Sequence, residues 1–195
     1  TQVDGIRKEL DPTFARIIRE RIRLLTAQMQ LTRSRLNPSP QDNDLLRKAK
    51  TAIEQIAKSA ADDSIRFRAR GLLAELSLET DSSESFSLKL KALEESSASS
   101  ADRVLVESLR VRSLLLKGRP SDALEASVKG DDVLFESSSE LKVLRLQCLI
   151  QMYGLLFELP DSDSTSTIRT GTEAEFRTLR ERTLPGLKGV WRERA

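Results

Sequence analysis

Histidine is absent from this chain and cysteine occurs once, at Cys148. The commonest general base and the commonest metal ligand are therefore missing, and a cysteine-based zinc cluster is excluded. Cys148 sits in the most apolar stretch of the chain. There it has no imidazole to deprotonate it, its surroundings raise its pKa, and it is expected to act as a small buried hydrophobe. Acidic pairs remain at Asp62-Asp63, Asp131-Asp132 and Asp161/Asp163. Oxygen ligands of this kind hold divalent ions, but none has the spacing of a calcium loop, and all fall where turns and helix caps call for Asp. The glycines are dispersed and form no phosphate-cradling loop. The reading is non-catalytic: no enzyme, no cofactor and no metal.

Arginine is the other residue type with binding chemistry. Arg16, Arg19 and Arg23 fall on one helical face, Arg66, Arg68 and Arg70 cluster, and Arg177, Arg180 and Arg182 lie near the end. Such stripes track a phosphate backbone, which makes nucleic acid one alternative partner. Against it, Glu20, Glu75 and Glu181 interleave, and aromatic residues for base stacking make up only 4% of the chain. With 32 basic and 30 acidic residues the net charge is +2. Residues 1–36 are locally basic and residues 121–140 locally acidic. The partner-binding candidates are Arg16, Arg19, Arg66, Arg70, Arg110 and Arg112, and the expected partner is an acidic peptide or protein.

The elements that must position these side chains read as helices. Asp11-Pro12 is a helix start, an N-cap acid followed by proline at the first helical position. The first helix should run over about 12–35. Its apolar residues Ile18, Ile22, Leu25, Met29 and Leu36 form a heptad-like stripe with Thr32 filling the gap, and Ile17, Leu24 and Leu31 make a flanking row. The stripe either docks on the following hairpin, the plainer choice, or pairs with a second copy as a homodimer. Asn37-Pro38-Ser39-Pro40 ends this helix. Further helices are predicted over about 43–60, 65–80, 84–97, 101–117, 120–128 (with an irregular extension to 135) and 140–159. Their caps and turns come from Asp62-Asp63-Ser64, Asp81-Ser82-Ser83, Ser100, Gly118-Arg119-Pro120 and Ser137–Ser139. The seventh helix is apolar around most of its circumference and must be covered on several sides. Residues 160–171 read as a flexible linker. Thr172 with Glu175 then forms a capping box for a last helix over about 173–183, whose Phe176, Leu179 and Leu184 reach back onto the seventh. The short tail carries Leu187, Val190 and Trp191.

Two amphipathic stretches joined by a polar turn recur about every 38 residues between 43 and 158, a period typical of helical solenoids. The turn at Lys117-Gly118-Arg119-Pro120-Ser121-Asp122-Ala123-Leu124-Glu125 resembles that of the tetratricopeptide repeat, and Lys91-Ala92-Leu93-Glu94 resembles the closing pair of the same repeat. The likeness spans about 70 residues; Val111 replaces the expected small residue, and no proline closes a unit. The resemblance implies an all-α, right-handed α-α superhelix of antiparallel hairpins, seven or eight helices in all, that binds a peptide or protein on a concave face as a scaffold or adaptor. Self-association as a structural domain is a further alternative. The expected division is a helical-repeat domain over 1–159, a linker over 160–171 and a capping helix with tail over 172–195. The richest apolar segment, 141–159, contains Lys142, Arg145, Gln147, Gln151 and Glu158 and is not a membrane span. The chain opens on Thr1 without an initiator Met, as expected of a piece of a longer protein or a processed form.

Overall fold

The computed structural model describes residues 11–36, 40–80, 83–129, 138–160, 162–183 and 185. Several sequence expectations lie outside these residues: the break at Asn37-Pro38-Ser39, the turn residues Asp81 and Ser82, the extension over 130–135, Ser137, and the apolar residues Leu184, Leu187, Val190 and Trp191. The described residues form eight α-helices and contain no β-strand. The protein is all-α. The chain divides into two compact units, Thr1–Ser97 and Ala98–Ala195. That division falls at Ser97 and not at the linker expected over 160–171.

The first unit holds α1 (Pro12–Leu36), α2 (Pro40–Ser59), α3 (Asp63–Thr80) and α4 (Ser83–Ser96). Asp11 opens α1 as expected, its Oδ1 accepting the Thr13 N–H at 2.9 Å. Asp62 does the same for α3, accepting from the Ile65 N–H at 3.0 Å. Each helix packs on the next, and α1 also touches α3. Their shared core is Leu24, Ala27 and Leu31 of α1 with Ala49, Ile53 and Ile56 of α2 and Ile65, Ala69 and Leu72 of α3. Alanines at the crossings let the backbones approach closely, which is how a thin helical layer reaches core packing density.

The buried face of α1 is not the expected one. Leu24 is 4% exposed, whereas its neighbour Leu25 is 51% exposed. Ile17, Leu24 and Leu31, the row read as flanking, dock on α2 and α3, while Ile18, Ile22, Leu25 and Met29 face outward. Polar contacts beside the buried row fix this rotation. Arg16 Nη2 donates to the Ser59 carbonyl at 2.9 Å, and the Ala61 N–H donates to Glu20 Oε2 at 2.9 Å. Arg23 Nη2 donates to Gln55 Oε1 at 3.2 Å. Turning the heptad stripe inward would break all three.

The second unit holds α5 (Ser100–Leu116), α6 (Pro120–Lys129), α7 (Ser139–Glu158) and α8 (Asp163–Thr183). The cap of α5 is Ser99 and not Ser100. Its hydroxyl accepts from the Asp102 N–H at 3.1 Å, and Asp102 Oδ2 accepts in return from the Ser99 N–H at 2.9 Å. This reciprocal pair is a capping box. Gly118 has φ +67, and the Arg119 N–H reaches back to the Leu114 carbonyl at 3.0 Å while Gly118 N–H reaches Leu115 at 3.0 Å. A left-handed residue ends the helix here, and any side chain at this position would be strained. The turn brings the fully buried Ala123 of α6 against Val111 of α5 and against Leu144 and Cys148 of α7. Helices α5, α6 and α7 all touch one another, and α8 packs on α7.

Two further expectations are corrected in this unit. Residues 163–171 are not a linker but the first half of α8. Ser162 caps them, its Oγ accepting from the Thr165 N–H at 3.1 Å, and the Thr167 and Thr170 hydroxyls donate to carbonyls one turn earlier. Arg169 then fastens the segment to the end of α7. It donates to the Leu156 carbonyl at 2.6 Å and the Leu159 carbonyl at 3.0 Å, and its guanidinium lies 5.1 Å from the Phe157 ring centroid. Tertiary contacts of this kind override the low helix propensity of Ser and Thr. Thr172 is accordingly buried inside α8 and caps nothing, and Glu175 accepts from Arg145 of α7 at 2.7 Å. Helix α7 is buried in its first half at Leu141, Val143, Leu144, Leu146, Cys148 and Leu149, and partly buried at Met152, Tyr153 and Leu156 in its second. Ile150, Leu155 and Phe157 in its second half are exposed.

Leu24→Ala and Leu25→Ala separate the two rows of α1. Leu24→Ala is expected to lower stability by about 2–5 kcal/mol and Leu25→Ala by less than about 0.5 kcal/mol, read from urea unfolding of the whole chain.

Candidate functional site

The candidate arginines divide between the units. Arg16, Arg19, Arg66 and Arg70 belong to the first, and Arg110 and Arg112 to the second. Arg16 is a structural tie, paired with Glu20 at 2.9 Å while it holds the Ser59 carbonyl. Arg19 is exposed, its Nε donating to the Ala15 carbonyl of its own helix at 3.1 Å. Half-buried Arg66 pairs with Asp63 in the first turn of α3, and exposed Arg70 follows one turn later on the same side. Arg110 pairs with Glu107 at 2.9 Å, and Arg112 joins α5 to α7 through Glu140 at 2.7 Å. Residues two apart on a helix point roughly 200° apart, so Arg110 and Arg112 do not share a face. Arg66 and Arg70 lie one turn apart on α3, and Arg16 and Arg19 lie three residues apart on α1, where Arg16 is tied to Glu20 and Ser59 and Arg19 to its own helix.

The other arginine clusters are similarly engaged. Arg23 is held by Gln55, and Arg177 pairs with Glu173 at 2.9 Å on α8. Arg68, Arg180 and Arg182 are exposed. Among the acids, Asp62 is a helix cap and Asp63 an ion-pair partner; Asp131, Asp132 and Asp161 lie outside the described residues. Among the described residues no group of three or more His, Cys, Asp or Glu is placed to hold a metal ion. None of the described helices is long and apolar enough to cross a membrane.

A surface the arginine pattern does not mark is the outer face of α1, where Phe14, Ile18, Ile22, Leu25 and Met29 stand exposed in one stripe. The 4-3-4 spacing was visible in the sequence. Which of two neighbouring rows would be buried was not, because both satisfy the helical period.

Burial and hydrogen bonding shift the titration of Cys148 and Glu20. Burial pushes the Cys148 thiol up to about 12, against the opposing pull of a backbone hydrogen bond and Arg145. The thiol stays protonated and buried, a poor nucleophile. Partial burial pushes the Glu20 carboxyl up, but the Ala61 N–H and then Arg16 and Arg23 outweigh it, and the net shift is below the ordinary value of 4.5. A depressed carboxylate stabilises the fold when ionised. Its contribution is complete above 4.5 and is lost as pH falls through the lowered folded-state value.

Comparison of the chain with protein-family models, with curated proteins and with solved structures finds no match.

Glu20→Gln is expected to cost about 1 kcal/mol at pH 7, with the difference from wild type shrinking below pH 4.5 as the native carboxylate protonates; equilibrium unfolding across that range checks the sign. Cys148 should resist a thiol-reactive disulfide reagent at pH 8 in the native state and react at once in denaturing urea.

Proposed function

We propose that this chain is a non-catalytic protein-interaction module, a tetratricopeptide-like right-handed superhelix of helix hairpins that holds an acidic peptide or protein as a scaffold or adaptor. The observation that carries the reading is the packing beneath the Gly118 turn. There the hairpin α5–α6 buries Val111 and Ala123 against Leu144 and Cys148 of the following helix. A hairpin closed by the next helix is the unit from which such repeats are built, and α1, α2 and α3 of the first unit repeat the same set of neighbours. Folds of this kind serve by presenting surface rather than reacting groups.

The proposed binding face lies within the first unit, on the first helix of each of its pairs, α1 and α3. Arg66 and Arg70 of α3 would supply its charge, with Arg16 and Arg19 of α1, while Arg110 and Arg112 belong to the second unit and point to different sides of α5. Arg70, Arg19 and Arg16 are the exposed members of this set; Arg16 is held by Glu20, so Arg70 and Arg19 are the ones able to receive a carboxylate without first giving up a side-chain partner. A long-range basic bias of this sort selects acidic partners and speeds their encounter.

A random peptide library displayed against the whole chain should enrich sequences rich in Asp and Glu, and Arg66→Glu/Arg70→Glu should weaken them at least tenfold. Enrichment without acidic bias, or binding untouched by the double reversal, would sink the assignment. Salt-dependent capture of a random single-stranded oligonucleotide in place of acidic peptides would replace it with nucleic-acid binding.

A further inference from the structure

We propose that the outer face of α1 is a docking seam for an acidic amphipathic helix of a partner protein. The inference rests on the reading of the chain as an interaction module and adds a second, separate surface to it.

Five large apolar side chains occupy that face. Phe14, Ile18, Ile22, Leu25 and Met29 follow spacings of four, four, three and four, and Met29 is 73% exposed and Ile22 57%. They run for about 22 Å along the helix, about four turns. A continuous apolar row of this length on a surface helix marks an interaction site, where a scattered exposed leucine would not. The row is not surplus core. The core of α1 is complete on the other side of the helix, where Leu24, Ala27 and Leu31 are already buried. Glu20, Arg16 and Arg23 lock that side in place.

Charge decides the occupant. Pro12–Leu36 contains six arginines and one acid, Glu20. Glu20 is turned to the buried side and bound to Arg16 and the Ala61 N–H. Arg21 flanks the row on one side and Arg33 and Arg19 on the other, all exposed. A second copy of α1 would set these arginines against their own equivalents with no acid to answer them, so self-pairing is opposed. A helix bearing Glu beside its apolar residues meets the flanks with the opposite charge, as at the edge positions of a coiled coil. Width separates a helix from a membrane. At 100° per residue the row covers only about 80° of the circumference, with arginines bordering it closely. That is the narrow seam of helix-on-helix packing rather than the broad apolar face of a helix lying in a bilayer.

The probe is a fluorescein-labelled peptide of three heptads, with Leu at a and d and Glu at e and g, read by anisotropy against the whole chain. It should bind, and its counterpart with Lys for Glu should bind at least tenfold more weakly. Ile22→Asp and Arg21→Glu/Arg33→Glu should each weaken the Glu peptide at least tenfold and leave the thermal unfolding midpoint unchanged, because all three side chains are exposed. Equal binding of the Glu and Lys peptides, or binding insensitive to Ile22→Asp, overturns the seam. So does an Ile22-dependent dimer in sedimentation, or Ile22-dependent partition onto phosphatidylserine vesicles without peptide binding. If Ile22→Asp has no effect while Arg66→Glu/Arg70→Glu abolishes binding, the interaction module stands and the seam alone falls. If acidic peptides of neither kind bind, both fall.

Discussion

The setting of α1 on its neighbours depends on one carboxylate. Glu20 lies between the Arg16 guanidinium and the Ala61 N–H, at the point where the chain leaves α2 and caps α3 with Asp62. Hydrogen bonds are directional and burial is not, so two charge-assisted contacts at a helix junction select among rotations that apolar packing leaves nearly equal. With Glu20 held there, Leu24 and Leu31 must face the core and Ile22 and Met29 must face away. The outward apolar row is a consequence of that lock.

The second unit is organised by backbone geometry instead. Gly118 adopts a left-handed conformation, α5 stops, and Pro120 starts α6 two residues later. The reversal places Ala123 where any larger residue would hold the hairpin apart. Helix α7 then closes the hairpin, and its ion pairs reach in both directions, from Glu140 to Arg112 and from Arg145 to Glu175. These pairs are half-buried, and their value lies in fixing which turn of one helix faces which turn of the next.

Both units thus use the same device for different ends. Apolar burial supplies the attraction, and a few polar contacts choose among arrangements that burial alone leaves nearly equal. Many of the arginines are spent on this choice. Arg16, Arg23, Arg112, Arg145 and Arg169 join one helix to another, which leaves exposed ones such as Arg19, Arg70, Arg21 and Arg33 for an outside partner. The proposed surfaces are drawn from what the fold does not consume.

The sequence by itself determined the all-helical class, the helix starts at Asp11-Pro12 and Asp62, and the Gly118 turn. Each is a local signal: a cap, a proline or a glycine acts within one turn of its own position. In α2 the apolar residues Ala49, Ile53 and Ile56 follow a helical period and lie in the core. Tertiary structure alone decided two things. It chose the Leu24 row over the Leu25 row, because both have helical spacing and only contacts more than 30 residues away, such as Arg23 with Gln55, distinguish them. It also made residues 163–171 helical, because a Ser- and Thr-rich segment has weak intrinsic preference and takes its form from what it is fastened to, here the end of α7 through Arg169. Local propensity acts over a turn, whereas rotation and docking are set by partners that the chain brings together only when it folds.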